Sequence, residues 1–166
     1  MKRIFLNRTA LHFSKVFFGT TLVSLFFIGN ALAVVPQQIT YKMSQLQKSQ
    51  KRWLEINLTT QKLTAWQGDQ RVFNINVSTG KPSTPTLIGL FAIESKQLAG
   101  RMRGNDYDVA NVPYIMYYYR DYAIHGAYWH NQFGTAVSRG CINVAIFDAK
   151  RLFEWTAIKT AVVIHR

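Results

Sequence analysis

The sequence predicts a mainly β domain, built as a β-sandwich or a distorted barrel, with one α-helix near its C-terminal end. Three observations support this class. Several segments after Arg52 alternate apolar and polar residues with a period of two, which is typical of half-buried strands. Stretches that contain glycine or proline separate these segments, as turns would. Only residues 143–155 space their apolar side chains as an amphipathic helix does.

The first 33 residues are predicted to be a signal peptide. A positively charged leader comes first, and a nearly unbroken apolar run follows at 16–28. The run ends in Ala31-Leu32-Ala33, the small-x-small pattern that precedes a cleavage site. Because the run is shorter than the roughly 20 residues that a membrane span needs, cleavage near Ala33 is favoured over a retained anchor. The protein is therefore expected in the periplasm or the cell wall.

The rest of the chain divides into a linker and one domain. Residues 34–51 are polar and rich in glutamine, which predicts a polar linker, and residues 52–166 form the folded domain. Strands are predicted at 53–58, 62–66, 71–79, 87–95, 113–119, 122–125 and 160–164. The first three of these strands are expected to form an antiparallel meander. The glycine- and arginine-containing stretch 99–108 is expected to be an exposed loop.

The chain is strongly basic, with a net charge of +12. All eight acidic residues follow residue 33, whereas four of the twenty basic residues precede it, so the exported part keeps a net charge of +8. Basic exported domains associate with anionic polymers. Cell-wall glycopolymers or the carboxylates of stem peptides are therefore the expected partners, and nucleic acid is not expected. A basic surface that only keeps the protein soluble is an equal alternative.

Cys141 is the only cysteine of the chain, so an internal disulfide is excluded. The thiol is then buried and inert, paired with another chain, or functional. It ends the segment Ser138-Arg139-Gly140-Cys141, directly before the predicted helix, where backbone amides and the helix dipole are expected to lower a thiol pKa. Gly140 would also allow successive amides to form an oxyanion hole.

His125 is the candidate base for this thiol. It ends a predicted strand and precedes Gly126, so its imidazole can project into the same cleft and activate the cysteine. A histidine at a strand end is otherwise a hydrogen-bonded surface residue. The connecting loop carries Tyr128 and Trp129, which either cover the cleft or pack in the core. A zinc set of His125, His130 and Cys141 is a further alternative, but catalysis fits the glycine-bounded loop better.

The motif as a whole resembles the signature of the L,D-transpeptidase catalytic domain, the YkuD family. His125-Gly126 is followed, after residues 127–137, by Ser138-Arg139-Gly140-Cys141-Ile142-Asn143. The resemblance extends upstream to three further segments, which are 56–63, 77–80 and 84–93. It covers the chain from about Trp53 to Ile164, and it implies the fold of that family, with the helix directly after the cysteine loop.

The resemblance also implies roles for individual residues. Cys141 would be the nucleophile and His125 the proton donor and acceptor, with the Gly126 carbonyl orienting the imidazole. The backbone amides of Arg139, Gly140 and Cys141 would hold the oxyanion. The resemblance implies a substrate contact for Asn143, and the further predicted substrate contacts are Ser138, Arg139, Tyr128 and Trp129. Such chemistry needs no metal and no organic cofactor.

The implied activity is cell-wall transpeptidation, with a role in wall biogenesis and cell shape. The cysteine would attack the bond between an L-centre of diaminopimelate and a terminal D-alanine, release D-alanine and form a thioester. A second stem peptide, or a wall-anchored protein, would supply the acceptor amine. The alternatives are an L,D-carboxypeptidase, which hydrolyses the thioester, and an inactive wall-binding module.

One residue departs from the family pattern. Many members carry histidine where this chain has Arg139, and arginine cannot act as a base. Arg139 is expected either to pair with a substrate carboxylate or to face solvent, which leaves His125 as the base.

Overall fold

The computed structural model describes residues 26–104 and 106–166, with side chains from residue 35 onward. Two helices lie in these ranges, α1 (Phe26–Gln47) and α2 (Ile146–Trp155). The strands in chain order are β1 (Arg52–Asn57), β2 (Lys62–Gln67), β3 (Gln70–Ser78), β4 (Gly89–Ala92), β5 (Ser95–Gly104), β6 (Tyr107–Tyr119), β7 (Tyr122–Gly126), β8 (Ile142–Val144) and β9 (Ala161–His165). Neither of these two helices is long and apolar enough to cross a membrane. Most of the predicted signal peptide, residues 1–25, lies outside the described residues.

The nine strands form one curled sheet in the order β4-β9-β1-β2-β3-β8-β7-β6-β5. β1, β2 and β3 form the antiparallel meander that was predicted, whereas β1 with β9 and β7 with β8 are parallel. β3 joins the two halves, because it pairs with β2 along most of its length and with β8 through Val77 and Ser78. The half-barrel shape confirms the mainly β class predicted from the sequence.

The core lies inside the curl and is shared by both halves of the sheet. Leu54 and Ile56 of β1 are fully buried together with Ile124 of β7 and Ile142 of β8. Each such side chain contributes about 1.5–3 kcal/mol through burial. Helix α2 closes the core with Leu152 and packs on β6 and β7. The helix predicted over residues 143–155 therefore exists, and it starts at Ile146.

The prediction of a polar linker at 34–51 is wrong, because α1 continues to Gln47. Ile39 and Leu46 lie on one face of this helix and are buried against Trp53 and Val163, on the outer face of the sheet. The spacing of Ile39 and Leu46 is helical, but the surrounding glutamines and other polar residues hide the pattern. The helix is therefore part of the packed structure.

The prediction of an exposed loop at 99–108 is also wrong. β5 and β6 form a long hairpin whose pairing continues to Gly104 and Tyr107. A Cβ atom at position 104 would meet the Tyr107 ring, so a larger residue there would require this ring to move. The sequence suggested a loop because such glycines usually mark irregular backbone. The short strand β8 was not predicted, because three residues carry no periodicity.

Candidate active site

Strand pairing brings Cys141 and His125 to the same side of the sheet. β7 and β8 are parallel, with Ile124 opposite Ile142 and His125 opposite Asn143. Successive residues of a strand face opposite sides, so the two isoleucines enter the core. His125 of β7 and Cys141, the residue directly before β8, then share the other face.

His125 and Cys141 line a cavity of about 260 Å³ beside the β5–β6 hairpin. Met102 and Tyr107 of the hairpin form part of its wall. Six of the predicted site residues line it, namely His125, Trp129, Ser138, Arg139, Cys141 and Asn143. Gly126, Tyr128 and Gly140 are not among the residues that line it.

The His125 imidazole is buried and held in one orientation. It is 3% exposed, and its Nδ1 atom lies 3.0 Å from the Gly126 carbonyl oxygen. The carbonyl can only accept, so the neutral ring carries its proton on Nδ1 and leaves Nε2 as an acceptor. Burial lowers the pKa of His125 to about 4, although the bond to Gly126 opposes this shift. The predicted orienting contact of Gly126 is therefore present, with His125 neutral at pH 7.

The Cys141 thiol is also neutral, contrary to the expectation of a lowered pKa. Burial raises its pKa to about 11, and the nearby Asp121 carboxylate adds to the shift. The sulfur lies 3.7 Å from the Asp121 carbonyl oxygen. The dipole of α2 has little influence, because β8 separates Cys141 from the first helical residue, Ile146, and a helix dipole acts mainly within its first turn.

The cysteine loop is a tight turn built by Ser138. The Ser138 hydroxyl donates to the Cys141 carbonyl at 2.5 Å and accepts the Gly140 amide at 3.1 Å. Gly140 has φ +118, a conformation that side chains rarely adopt. The Gly140 amide is used inside the turn, which leaves the amides of Arg139 and Cys141 as the candidates for oxyanion donors. Ser138 builds the loop and also lines the cavity, and its contact with a substrate stays a prediction.

Arg139 is largely exposed, as one of its two predicted alternatives has it, and it also pairs within the protein. Its Nε atom lies 2.8 Å from Oδ2 of Asp106, and its guanidinium stacks 5.1 Å from the centre of the Tyr107 ring. The hydrogen bond from Arg139 lowers the pKa of Asp106. Both side chains are largely exposed, so water screens the ion pair. Arg139 thus connects the cysteine loop to the tip of the β5–β6 hairpin.

Asn143 is paired with a histidine that the sequence assigned no catalytic role. The Asn143 side-chain amide lies 2.9 Å from Nε2 of His130, and Nδ1 of His130 accepts the Gln132 amide at 3.1 Å. Burial lowers the pKa of His130. Since both ring nitrogens of His130 have partners within the protein, the alternative of a zinc set with His125 and Cys141 is not supported.

The two aromatic residues of the connecting loop have different positions. The Trp129 ring lies 5.8 Å from the His125 ring and lines the cavity. The Tyr128 hydroxyl instead donates to the Ala110 carbonyl of β6 at 2.7 Å, outside the cavity. Trp129 is therefore placed to contact a substrate, whereas Tyr128 attaches the loop to the hairpin.

Residues beneath the cysteine loop were missed by reasoning from the sequence. The Thr86 hydroxyl donates to the Gly140 carbonyl at 2.7 Å, and the Thr84 hydroxyl donates to the Ser138 carbonyl at 3.2 Å. The buried Gln61 side chain accepts the Thr79 amide at 2.9 Å and so holds the backbone directly after β3. The Thr84-Pro85-Thr86 sequence belongs to a segment that resembles the family, but its support of the cysteine loop was not predicted.

Comparison with known proteins agrees with this geometry. A family model described as the L,D-transpeptidase catalytic domain, YkuD, matches residues 51–164. No curated protein sequence matches the chain significantly.

Solved structures with the same fold include several L,D-transpeptidases. One from Mycobacterium smegmatis is 19% identical, with a TM-score of 0.66 over 70% of this chain and 59% of its own. One from Enterococcus faecium is 24% identical, with a TM-score of 0.66 over 70% and 50%. L,D-transpeptidase 3 from Mycobacterium tuberculosis, solved with a faropenem-derived adduct, is 20% identical, with a TM-score of 0.64 over 69% and 60%.

The chain spans only 50–60% of the length of these structures, and identities below 25% show the fold alone. The family model, however, covers most of the chain, including both His125 and Cys141. The chain therefore belongs to the YkuD family of L,D-transpeptidase catalytic domains.

Proposed function

We propose that the protein is a cysteine-dependent L,D-transpeptidase that acts on peptidoglycan stem peptides. One observation carries the proposal: His125 on β7 and Cys141 directly before the parallel strand β8 line one cavity, and the Gly126 carbonyl keeps Nε2 of His125 free to accept a proton. Family membership supports the same reaction class.

The first half-reaction forms a thioester and releases D-alanine. The Cys141 sulfur attacks the carbonyl that joins the L-centre of diaminopimelate to the terminal D-alanine, and the thiol proton passes to Nε2 of His125. The carbon–nitrogen bond then breaks, and the same proton leaves with the D-alanine amine. Because thiol and imidazole are both neutral beforehand, the ion pair forms only as the sulfur attacks.

The second half-reaction transfers the acyl group to an amine. The acceptor attacks the thioester, His125 takes the amine proton, and the proton returns to the departing sulfur. The negative charge that develops on the carbonyl oxygen in both steps requires hydrogen-bond donors at the cavity wall. The backbone amides of Arg139 and Cys141 are the candidates, since both residues line the cavity.

The N-terminal segment and the net charge of the chain support a location for the proposed reaction. We infer that the N-terminal segment directs the chain out of the cytoplasm, to the periplasm or the cell wall. The net charge of +8 after residue 33 favours contact with anionic wall polymers. The acceptor is then a second stem peptide or a wall-anchored protein, and the product contributes to wall assembly.

Mass spectrometry of the intact protein tests the proposal. Incubation with a diaminopimelate-containing tetrapeptide stem should release D-alanine and add the remaining acyl group to the protein. Since the chain has one cysteine, Cys141→Ala is a complete control and should show no adduct. Adding an acceptor amine should convert the adduct into a cross-linked peptide, whereas a carboxypeptidase would give only hydrolysed stem. A folded wild-type protein without any adduct would contradict the proposal.

A further inference from the structure

A buried threonine holds the loop that carries the nucleophile. Thr86 is 4% exposed and does not line the cavity. Its hydroxyl accepts the Gly80 amide at 2.8 Å and donates its one proton to the Gly140 carbonyl at 2.7 Å. The hydroxyl therefore links the backbone after β3 to the peptide group that joins Gly140 to Cys141.

This contact determines the direction of the Cys141 amide. Cis peptide bonds are absent from the part of the chain that the structure describes. In a trans peptide the carbonyl and the amide point in opposite directions. The Gly140 carbonyl points to Thr86, and the Cys141 amide therefore points away from Thr86.

The Gly140–Cys141 peptide group needs such an anchor because neither Gly140 nor the hydrogen bonds of Ser138 fix its orientation. Gly140 has φ +118 and no side chain to restrict it. The Ser138 hydroxyl holds the Gly140 amide and the Cys141 carbonyl, which belong to the peptide groups on either side. Thr86 acts on the peptide group between them.

Thr86 is itself placed by close backbone packing. A Cβ atom at Gly80 would lie 2.6 Å from the Thr86 amide nitrogen and 2.2 Å from the Thr84 carbonyl oxygen. Gly80 also forms a parallel bridge with Ser138, at the start of the cysteine loop. The threonine hydroxyl therefore sits at a fixed distance from the loop it supports.

We propose that Thr86 is a positioning residue for acyl transfer: its hydroxyl sets the direction of the Cys141 amide, which stabilises the oxyanion. The inference rests on the proposed function, in which Cys141 is the nucleophile. Thr86 does not touch the substrate. It acts through the Gly140–Cys141 peptide group.

Two reactions of the same thiol separate positioning from general structure. Acylation by a carbapenem passes through an oxyanion, whereas alkylation by iodoacetamide is a displacement at carbon without one. Thr86→Val removes the hydroxyl at nearly constant volume, and we expect carbapenem acylation to slow about 10- to 100-fold, below the full loss of one oxyanion donor. Alkylation should stay within about twofold, because the thiol itself is untouched.

Three further variants complete the experiment. Thr86→Ser keeps the hydroxyl and should restore acylation to within a few-fold of the wild type. Thr86→Ala repeats the comparison if the valine variant fails to fold. Thr160→Val is the matched control, because the Thr160 hydroxyl is also buried and accepts a backbone amide, that of Ala157, at 3.1 Å. It should lower the melting temperature but leave acylation unchanged.

The outcomes separate this inference from the proposed function. Absence of acylation in the wild type would contradict the proposed function, and the inference with it. Normal wild-type acylation that is unchanged in both Thr86→Val and Thr86→Ala would overturn the inference alone. It would also be overturned if acylation and alkylation fell together, or if Thr86→Ser failed to restore acylation, because either result would indicate a general packing role.

Discussion

Burial keeps both reacting groups neutral, and this decides how the site is activated. The pKa of Cys141 is raised to about 11 and that of His125 is lowered to about 4. A preformed thiolate–imidazolium pair would require the opposite order of the two values. In the proposed reaction the thiol proton would therefore move during the attack, and the placement of the imidazole would replace a charged resting state.

This arrangement predicts the absence of thiolate in the resting enzyme at neutral pH. The ultraviolet absorbance difference between the wild type and Cys141→Ala should show no thiolate signal between pH 5 and pH 9, because these values lie below the pKa of about 11. Subtracting the spectrum of the variant removes the absorbance of the tyrosines, because both proteins contain the same ones. A thiolate signal already present at pH 7 would contradict the prediction.

Gly126 is needed for its small size. A Cβ atom there would lie 2.8 Å from Cγ of Pro113 and 3.2 Å from the Pro113 carbonyl oxygen. Gly126→Ala should therefore displace the carbonyl that orients His125. We expect a loss of about 1–3 kcal/mol in the free energy of unfolding and slower acylation of Cys141, measured by urea denaturation and intact mass.

A second glycine serves as the control for this prediction. Gly134 has φ +103, but no atom lies within 4 Å of a Cβ placed there. Gly134→Ala should cost about 1–2 kcal/mol through backbone strain and leave acylation close to the wild-type rate. Equal loss of acylation in the two variants would show that the effect of Gly126→Ala is not specific to His125.

At the scale of elements, α1 is predicted to stabilise the domain. Leu46 is buried in the cluster with Ile39, Trp53 and Val163. Leu46→Ala should lower the free energy of unfolding by about 2–3 kcal/mol, since it removes a buried apolar group. Val35→Ala is the control, because Val35 is 45% exposed. Equal stability of the two variants in urea denaturation would indicate that α1 behaves as the linker that the sequence suggested.

The elements that could be predicted are those whose side chains alternate or repeat clearly. The meander of β1 to β3 and helix α2 follow from local periodicity, and the placement of His125 and Cys141 follows from the motif that encloses them. The part of helix α1 after residue 34 was not predicted because its apolar residues stand among several glutamines and other polar residues. The β5–β6 hairpin was missed because Gly100 and Gly104 indicate turns, although cross-strand packing holds them in strands.

Parts of the site depend on contacts between distant segments, which no local pattern reveals. The pairing of Arg139 with Asp106 joins residues 33 positions apart, and it exists only because the hairpin reaches the cysteine loop. The pKa values of Cys141 and His125 depend on burial, which is a property of the assembled fold. The motif therefore predicted correctly that His125 and Cys141 lie in one site, but it led us to expect a lowered thiol pKa where burial raises it.

At the scale of the whole molecule, the two faces of the curled sheet have different roles: the inner face holds the core, and part of the outer face holds the candidate active site. Its inner face is filled by the main core, including Leu54, Ile124 and Ile142. One half of the outer face is covered by α1 through Trp53 and Val163. The other half carries His125 and Cys141 in the cavity beside the hairpin. The reacting groups thus project from strands whose alternate residues are fixed in the core, which restrains their relative positions.

Burial of His125 should also give the whole protein an acid-sensitive stability. Its pKa is about 4 in the folded state against 6.5 ordinarily, so the unfolded chain binds the proton first as the pH falls. The free energy of unfolding keeps its full value above pH 6.5. It falls progressively as the pH is lowered to about 4, by about 3 kcal/mol in total. His125→Asn, whose side-chain N–H can still reach the Gly126 carbonyl, should lose this part of the acid dependence. Urea denaturation between pH 4 and pH 8 measures both curves. Parallel curves for the wild type and the variant would show that His125 does not carry the effect.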